Sequence, residues 1–133
     1  MNKNTMNIIS ASRRTDIPAF FSEWFMNRIR AGNAEYLNPF SNQACSVSLV
    51  PDDVHSIVFW TKDFAPMIKY IDELDERRYK FSILYTVTGL PRIFEPYVPE
   101  PGHSVKVIKQ LAERYSPLHV TWRFDPIVLS NVT

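Results

Sequence analysis

The stretch from Ile8 to Pro18, "IISASRRTDIP", begins as an apolar strand and ends in the charged side chains Arg13, Arg14 and Asp16. The same change from apolar to polar recurs downstream. It is seen in "SIVFWTK" (56–62), "ILYTVTG" (83–89) and "HVTWRFD" (119–125). Amphipathic helical patterns separate these runs. Apolar strands that alternate with amphipathic helices predict an α/β fold with a mainly parallel sheet covered by helices.

The element order read from the sequence is strand, helix, strand pair, strand, helix, strand, helix, strand. The first helix is predicted over "DIPAFFSEWFMNRIRAG" (16–32), with Gly32 as its C-terminal cap. Its apolar face is predicted from helical spacing to contain Phe20, Phe21, Trp24, Phe25 and Ile29. The strand pair flanks the turn signal "NPFSNQ" (38–43).

Two further helices are predicted, and a proline-rich loop over "LPRIFEPYVPEPGH" (90–103) precedes the last one. Asp63 is positioned to cap the helix that runs through "APMIKYIDELDERR" (65–78). The predicted buried face of that helix contains Met67, Ile68, Ile71 and Leu74. The final helix, "SVKVIKQLAERYS" (104–116), is predicted to bury Val105, Ile108, Leu111 and Ala112.

The composition predicts one domain over residues 1–133 and excludes several classes of protein. The chain is 45% hydrophobic, which is unlike a disordered protein, and its net charge of +1 favours neither nucleic acid nor an anionic membrane as a partner. A single cysteine, Cys45, excludes an intrachain disulfide and a multi-cysteine metal site. Without a secretory signal or a membrane-length apolar run, a cytoplasmic protein is expected.

The polar clusters predict a single pocket. Because the carboxyl ends of parallel strands face one side of the sheet, side chains that follow different strands converge there. Arginine forks bind phosphate or carboxylate, and aspartates can orient them or exchange protons. An anionic or nucleotide-like ligand is therefore expected, although no glycine-rich phosphate motif is present. The candidate ligand-binding residues are Arg13, Arg14, Asp16, Lys62, Thr88, Arg123 and Asp125.

Structural roles remain open for the same residues. Arg13 and Asp16 could form a local salt bridge that caps the first helix, and Lys62 could be a solvated charge at a helix start. Asp125 could bond its own backbone in a turn. The three histidines, His55, His103 and His119, are expected to be structural or solvent-exposed, and Cys45 is expected to be a small packed residue. Trp24, Phe25 and Trp60 are expected to be core aromatics.

Several motifs together resemble a known bacterial family. The segments "SASRRTDIPAFFSEWFMNRIRAG", "NPF", "IVFWTKDFAPM", "YTVTGLP", "EPYVP" and "VTWRFDPIVL" are similar, in this order, to the N-terminal half of proteins grouped as domain of unknown function 1848. The resemblance implies a radical S-adenosylmethionine-like (β/α) barrel, with the site at the carboxyl ends of the strands. In longer relatives a C-terminal cysteine cluster is similar to one that holds an iron–sulfur cluster.

The resemblance also implies that this chain is incomplete as a radical enzyme, because Cys45 is not part of that cluster. A closed eight-unit barrel needs about 250 residues, so we expect either an open sheet or part of a barrel. Three hypotheses follow: an enzyme-derived half barrel without its own cofactor, a non-catalytic binding module for a phosphate or carboxylate ligand, and a homo-oligomer that covers exposed sheet edges.

Overall fold

A computed structural model describes residues 5–127 and residue 129. Its main sheet has four parallel strands, in the spatial order β1, β4, β5, β6. A separate antiparallel pair consists of β2 and β3. The strands are β1 (Asn7–Ala11), β2 (Asn33–Leu37), β3 (Ala44–Ser48), β4 (Val54–Thr61), β5 (Phe81–Thr86) and β6 (Val120–Arg123).

The described helices connect these strands in the predicted order, which confirms the α/β fold class. They are α1 (Ile17–Phe20), α2 (Ser22–Ala31), α3 (Ile71–Glu76) and α4 (Pro101–Arg114). A 3₁₀ helix, Ala65–Tyr70, leads directly into α3. Asp63 accepts a hydrogen bond from the Ala65 amide at 3.0 Å, but the N-cap residue of this segment is Phe64 and not Asp63 as predicted.

The strands of the main sheet lie side by side in the order in which they occur along the chain. A doubly wound sheet would instead reverse its strand order at a switch point. Because crossovers between parallel strands are almost always right-handed, a sheet wound in one direction places its helices on one face. Among the described residues no helix covers the other face, and we call it the open face.

The core lies between the helices and the covered face of the sheet. The Phe59 ring is its centre and makes edge-to-face contacts with Phe25, Phe64 and Phe81, with ring centroids 5.3 to 5.7 Å apart. Burying a side chain of this kind contributes roughly 1.5–3 kcal/mol. From Ile57 onward in β4, and throughout β5, every second residue is packed in this core.

The open face is built mostly from small and polar side chains. The strand register aligns Ser10 with Val58 and Ser82, and Thr86 with Arg123. Larger apolar side chains on this face include Ile8, Leu84 and Trp60, of which Trp60 is half-buried. The predicted assignment of Trp60 to the core is therefore wrong, because this position alternates away from the helices.

The first predicted helix is interrupted at Phe21. That residue separates α1 from α2, and its backbone leaves the helical region at φ −132°. The predicted apolar face is correct for Phe25 and Ile29 but wrong for Phe20, Phe21 and Trp24, of which Trp24 is 47% exposed. Helical spacing counted across the break misplaces Phe20 and Phe21, whereas Trp24 follows the break and lies outside the buried face of α2. Phe21 and Trp24 instead line an apolar groove of about 630 Å³ between α2, β1 and the β2–β3 pair.

The buried face of α4 is shifted from the predicted one. Ser104, Val107 and Leu111 are buried, whereas Val105 is exposed. The helix begins at Pro101, earlier than predicted. Gly32 is correct as the cap of α2, because it adopts the left-handed conformation at φ 81° and a Cβ there would lie 3.0 Å from Val50.

Candidate functional site

An open cavity of about 410 Å³ lies at the carboxyl edge of the main sheet. Five of the seven predicted site residues line it: Arg13, Arg14, Asp16, Lys62 and Arg123. Its other walls are Ser12, Thr15, Trp60, Thr61 and Thr86. The positions converge because β1, β4, β5 and β6 all end at this edge, as parallel strands require.

Trp60 is the centre of the cavity wall. The guanidinium carbons of Arg13 and Arg123 each lie 4.9 Å from the centroid of its ring. Its indole nitrogen donates a hydrogen bond to the Ser10 hydroxyl at 3.0 Å. Cation–π contacts of this kind contribute roughly 0.5–1 kcal/mol each at exposed sites. The indole therefore positions two arginines that are separated by 110 residues along the chain but share one ring.

Asp16 joins the start of α1 to the end of β4. Its carboxylate accepts hydrogen bonds from the Ala19 amide at 3.0 Å, the Thr61 hydroxyl at 2.7 Å and the Lys62 amide at 2.7 Å. Burial raises the pKa of Asp16, and these hydrogen bonds oppose the rise. Within the described residues Asp16 forms no ion pair with Arg13, so it caps the helix through its own oxygens alone.

Lys62 is bound by a carboxylate that the sequence did not indicate. Its ammonium forms an ion pair with Glu95, whose side chain is only 10% exposed. Glu95 also accepts a hydrogen bond from the Thr88 hydroxyl at 3.2 Å. The interpretation of Lys62 as a solvated charge is therefore wrong. Thr88 and Glu95 line a separate, smaller cavity of about 50 Å³, so Thr88 is not in the wall of the larger one.

The remaining charges of the cavity differ in their partners. Arg14 donates to the carbonyl oxygen of Leu37 at 3.0 Å, which ties β1 to the end of β2. Arg123 donates to Asp125 at 3.3 Å, and Asp125, which is 68% exposed, lies outside the cavity wall. In residues 5–127 and 129, no carboxylate pairs with Arg13 or Arg14.

Three functional candidates were missed by sequence reasoning. Trp60 and Thr86 occupy strand positions on the open face. They could have been identified because successive side chains of β4 and β5 point to opposite faces of the sheet. Glu95 lies in the proline-rich loop, whose sequence has no hydrophobic periodicity. No local pattern connects it to Lys62.

The donor set of the described residues does not fit an iron–sulfur cluster. Cys45 lies in β3, where its sulfur is 3.8 Å from the Gln43 carbonyl oxygen. Among those residues no group of three or more histidine, cysteine, aspartate or glutamate side chains is arranged to hold a metal ion. A four-iron cluster requires several thiolates, and the chain contains one cysteine.

The histidines of the chain do not line the cavity. His119 stacks on Tyr115 with centroids 4.2 Å apart, and its Nε2 is buried without a hydrogen-bond partner among the described residues. His55 is exposed, and His103 lies 3.9 Å from Asp63 at the start of α4. His119 therefore packs inside the protein, and His55 and His103 are exposed, away from the cavity.

Comparison with known proteins identifies a family and no individual relative. The family model described as Domain of unknown function (DUF1848) matches residues 8–133. No curated protein and no solved structure matches the chain. Separately, none of the helices formed by the described residues has the length and apolar character needed to cross a membrane.

Proposed function

Because the chain belongs to the family described as Domain of unknown function (DUF1848), whose description names no activity, we propose a function from the geometry of its cavity. We propose that the carboxyl edge of the sheet binds an anionic small molecule, with Arg13 and Arg123 as its principal ligands. Parallel α/β sheets commonly bind ligands at this edge. The expected chemistry is recognition of a phosphate or carboxylate group.

The proposal is supported mainly by the contacts of the Arg13 side chain. Its guanidinium is held against Trp60 at the cavity wall, and no oxygen acceptor contacts it within the described residues. A guanidinium has five donors and binds anions through two parallel hydrogen bonds. An arginine needed only for local structure would be expected to bind a nearby carboxylate. The nearby carboxylate of Asp16 instead accepts hydrogen bonds from three other donors.

We also propose that the chain derives from an iron–sulfur, radical S-adenosylmethionine-like enzyme and is not catalytically complete alone. The motif resemblance supports the first part, and the single cysteine supports the second. Its residues would recognise the anion, while the metal chemistry would require thiolates from outside this sequence. Reconstitution with iron and sulfide tests this, since a stoichiometric four-iron absorbance would contradict it.

Calorimetric titration tests anion binding directly. Inorganic phosphate and tartrate are titrated into the wild-type chain, into the Arg13→Ala, Arg123→Ala double variant, and into Arg77→Ala as a matched control. Arg77 follows α3 at the opposite edge of the sheet and pairs with Glu73. Binding of either anion that is lost in the double variant and kept in the control supports the proposal. Identical titrations of all three proteins would refute it.

A second candidate function, self-association, is favoured by the edges of the sheet. In the described residues the outer edges of β1 and β6 have no strand partner, and Ile8, Trp122 and Phe124 are exposed there. We propose that a second copy pairs its β1 with the β6 of the first, because unpaired parallel edges invite strand addition. A monomer by light scattering at micromolar concentration would contradict this candidate.

A further inference from the structure

The cavity at the carboxyl edge of the sheet has features that distinguish between anions. We propose that its ligand is a phosphate monoester, held by Arg13 and Arg123 together, and not a carboxylate. This inference rests on the proposed function, because it narrows the ligand class of the same cavity.

Two guanidinium groups share one aromatic ring at this site. A carboxylate has two oxygens and is satisfied by one arginine fork, whereas a phosphate monoester has three terminal oxygens and is contacted by several donors. Arg13 and Arg123 lie at the same distance, 4.9 Å, from the Trp60 centroid. Trp60 supplies no oxygen acceptor to either, so the contact leaves the donors of Arg13 for a ligand.

The positive charges of the cavity wall that lack a strong carboxylate partner can compensate a doubly negative group. Glu95 compensates Lys62, so this lysine is not available without breaking its ion pair. Asp125 is exposed and lies 3.3 Å from Arg123, and an exposed pair of this kind contributes little. A ligand can therefore replace Asp125 at low cost. Arg13 and Arg14 have no carboxylate partner in the described chain, and Asp16 is the one acidic side chain in the wall.

Neutral hydroxyls complete the set of donors. The Ser12 hydroxyl oxygen accepts a hydrogen bond from the Arg14 amide at 3.1 Å, which leaves its own hydrogen free to donate. Thr15 and Thr86 line the same cavity. Hydroxyls beside arginine forks are typical contacts of phosphate oxygens. The wall therefore offers donors of two kinds to one group with three oxygens.

The test compares two doubly negative, hydroxylated probes, glycerol 3-phosphate and tartrate, by calorimetry at one ionic strength. We expect glycerol 3-phosphate to bind at least about tenfold more tightly, which corresponds to about 1.4 kcal/mol. Arg13→Lys and Arg123→Lys preserve the charge but remove the fork, so each should abolish this preference. Arg77→Lys should keep it, and circular dichroism would verify that each variant is folded.

The outcomes separate this inference from the proposed function. If tartrate binds as tightly as glycerol 3-phosphate, and both depend on Arg13, the phosphate inference fails while anion binding stands. If neither probe binds in an arginine-dependent way, both fail. If the lysine variants keep the full preference for phosphate, charge alone decides it, and the two-fork recognition proposed here is wrong.

Discussion

The indole nitrogen of Trp60 donates a hydrogen bond to the hydroxyl of Ser10 across 3.0 Å, and this contact joins β4 to β1 on the open face of the sheet. The two residues are separated by 50 positions in the sequence. Because the bond fixes the indole at the cavity wall, it also fixes the ring that Arg13 and Arg123 contact. The proposed anion site therefore depends on an aromatic side chain that is not itself charged.

Replacing Trp60 with leucine should weaken the binding of inorganic phosphate. Losing two cation–π contacts of roughly 0.5–1 kcal/mol each predicts a loss of affinity of about tenfold. Trp60→Phe keeps an aromatic face and should retain most of the affinity. Trp24→Leu is the control, since Trp24 lies outside this cavity. Calorimetry that gives equal affinities for Trp60→Leu and wild type would show that the indole does not support the arginines.

Replacing Asp16 with alanine should destabilise the fold by about 2–3 kcal/mol, since three donors lose their acceptor and each such hydrogen bond contributes about 1 kcal/mol. The burial that raises the pKa of Asp16 reduces the net loss. Urea unfolding measures the change. Asp52→Ala, at an exposed position, should stay within about 0.5 kcal/mol of wild type. Similar midpoints for the two variants would contradict the connecting role of Asp16.

Replacing Glu95 with glutamine should strengthen the binding of phosphate, because it releases the charge of Lys62 into the cavity. The same change should loosen the loop over residues 90–100, because it removes the ion pair that joins Glu95 of this loop to Lys62. Hydrogen exchange would show faster exchange in that loop. Glu100→Gln is the matched control, because Glu100 forms an exposed pair with Arg92. Unchanged affinity in Glu95→Gln would mean that Lys62 does not reach the ligand.

His119 should make the protein less stable as the pH falls below about 7. Burial lowers the pKa of His119 from 6.5, and the carboxylate of Asp75 opposes this only in part. The unfolded chain therefore binds a proton at a pH where the folded chain does not, so the free energy of unfolding decreases as the pH falls through 6.5. The decrease stops once the folded pKa is passed.

Urea unfolding at pH values between about 7.5 and about 5.5, around the ordinary histidine pKa, measures this effect. His119→Phe keeps a ring beside Tyr115 and should flatten the dependence. His55→Gln alters an exposed histidine and should leave the dependence as in wild type. A wild-type slope that persists in His119→Phe would assign it to another group.

The order of the elements could be predicted from local patterns. Short, mostly apolar runs form β1, β4, β5 and β6, and amphipathic segments separate them, so a mainly parallel sheet could be predicted from the pattern along the chain. The convergence of Arg13, Lys62 and Arg123 also follows, because parallel strands end at one edge. Both inferences need only periodicity and topology.

Pairings between distant residues could not be predicted in this way. Glu95 reaches Lys62 from a loop without regular structure, and nothing local in "EPYVP" indicates that this carboxylate is buried. The break at Phe21 was likewise not predicted, because helical residues lie on both sides of it, in α1 and in α2.

By itself, the sequence determined which residues end the strands and therefore which charges lie at the carboxyl edge of the sheet. Only the tertiary structure decided which of these charges are already paired. Lys62 and Arg123 have carboxylate partners, Asp16 is committed to three donors, and Arg13 is held by an indole instead. The physical reason is that strand position follows from local periodicity, whereas pairing depends on distances between segments that are far apart in the chain.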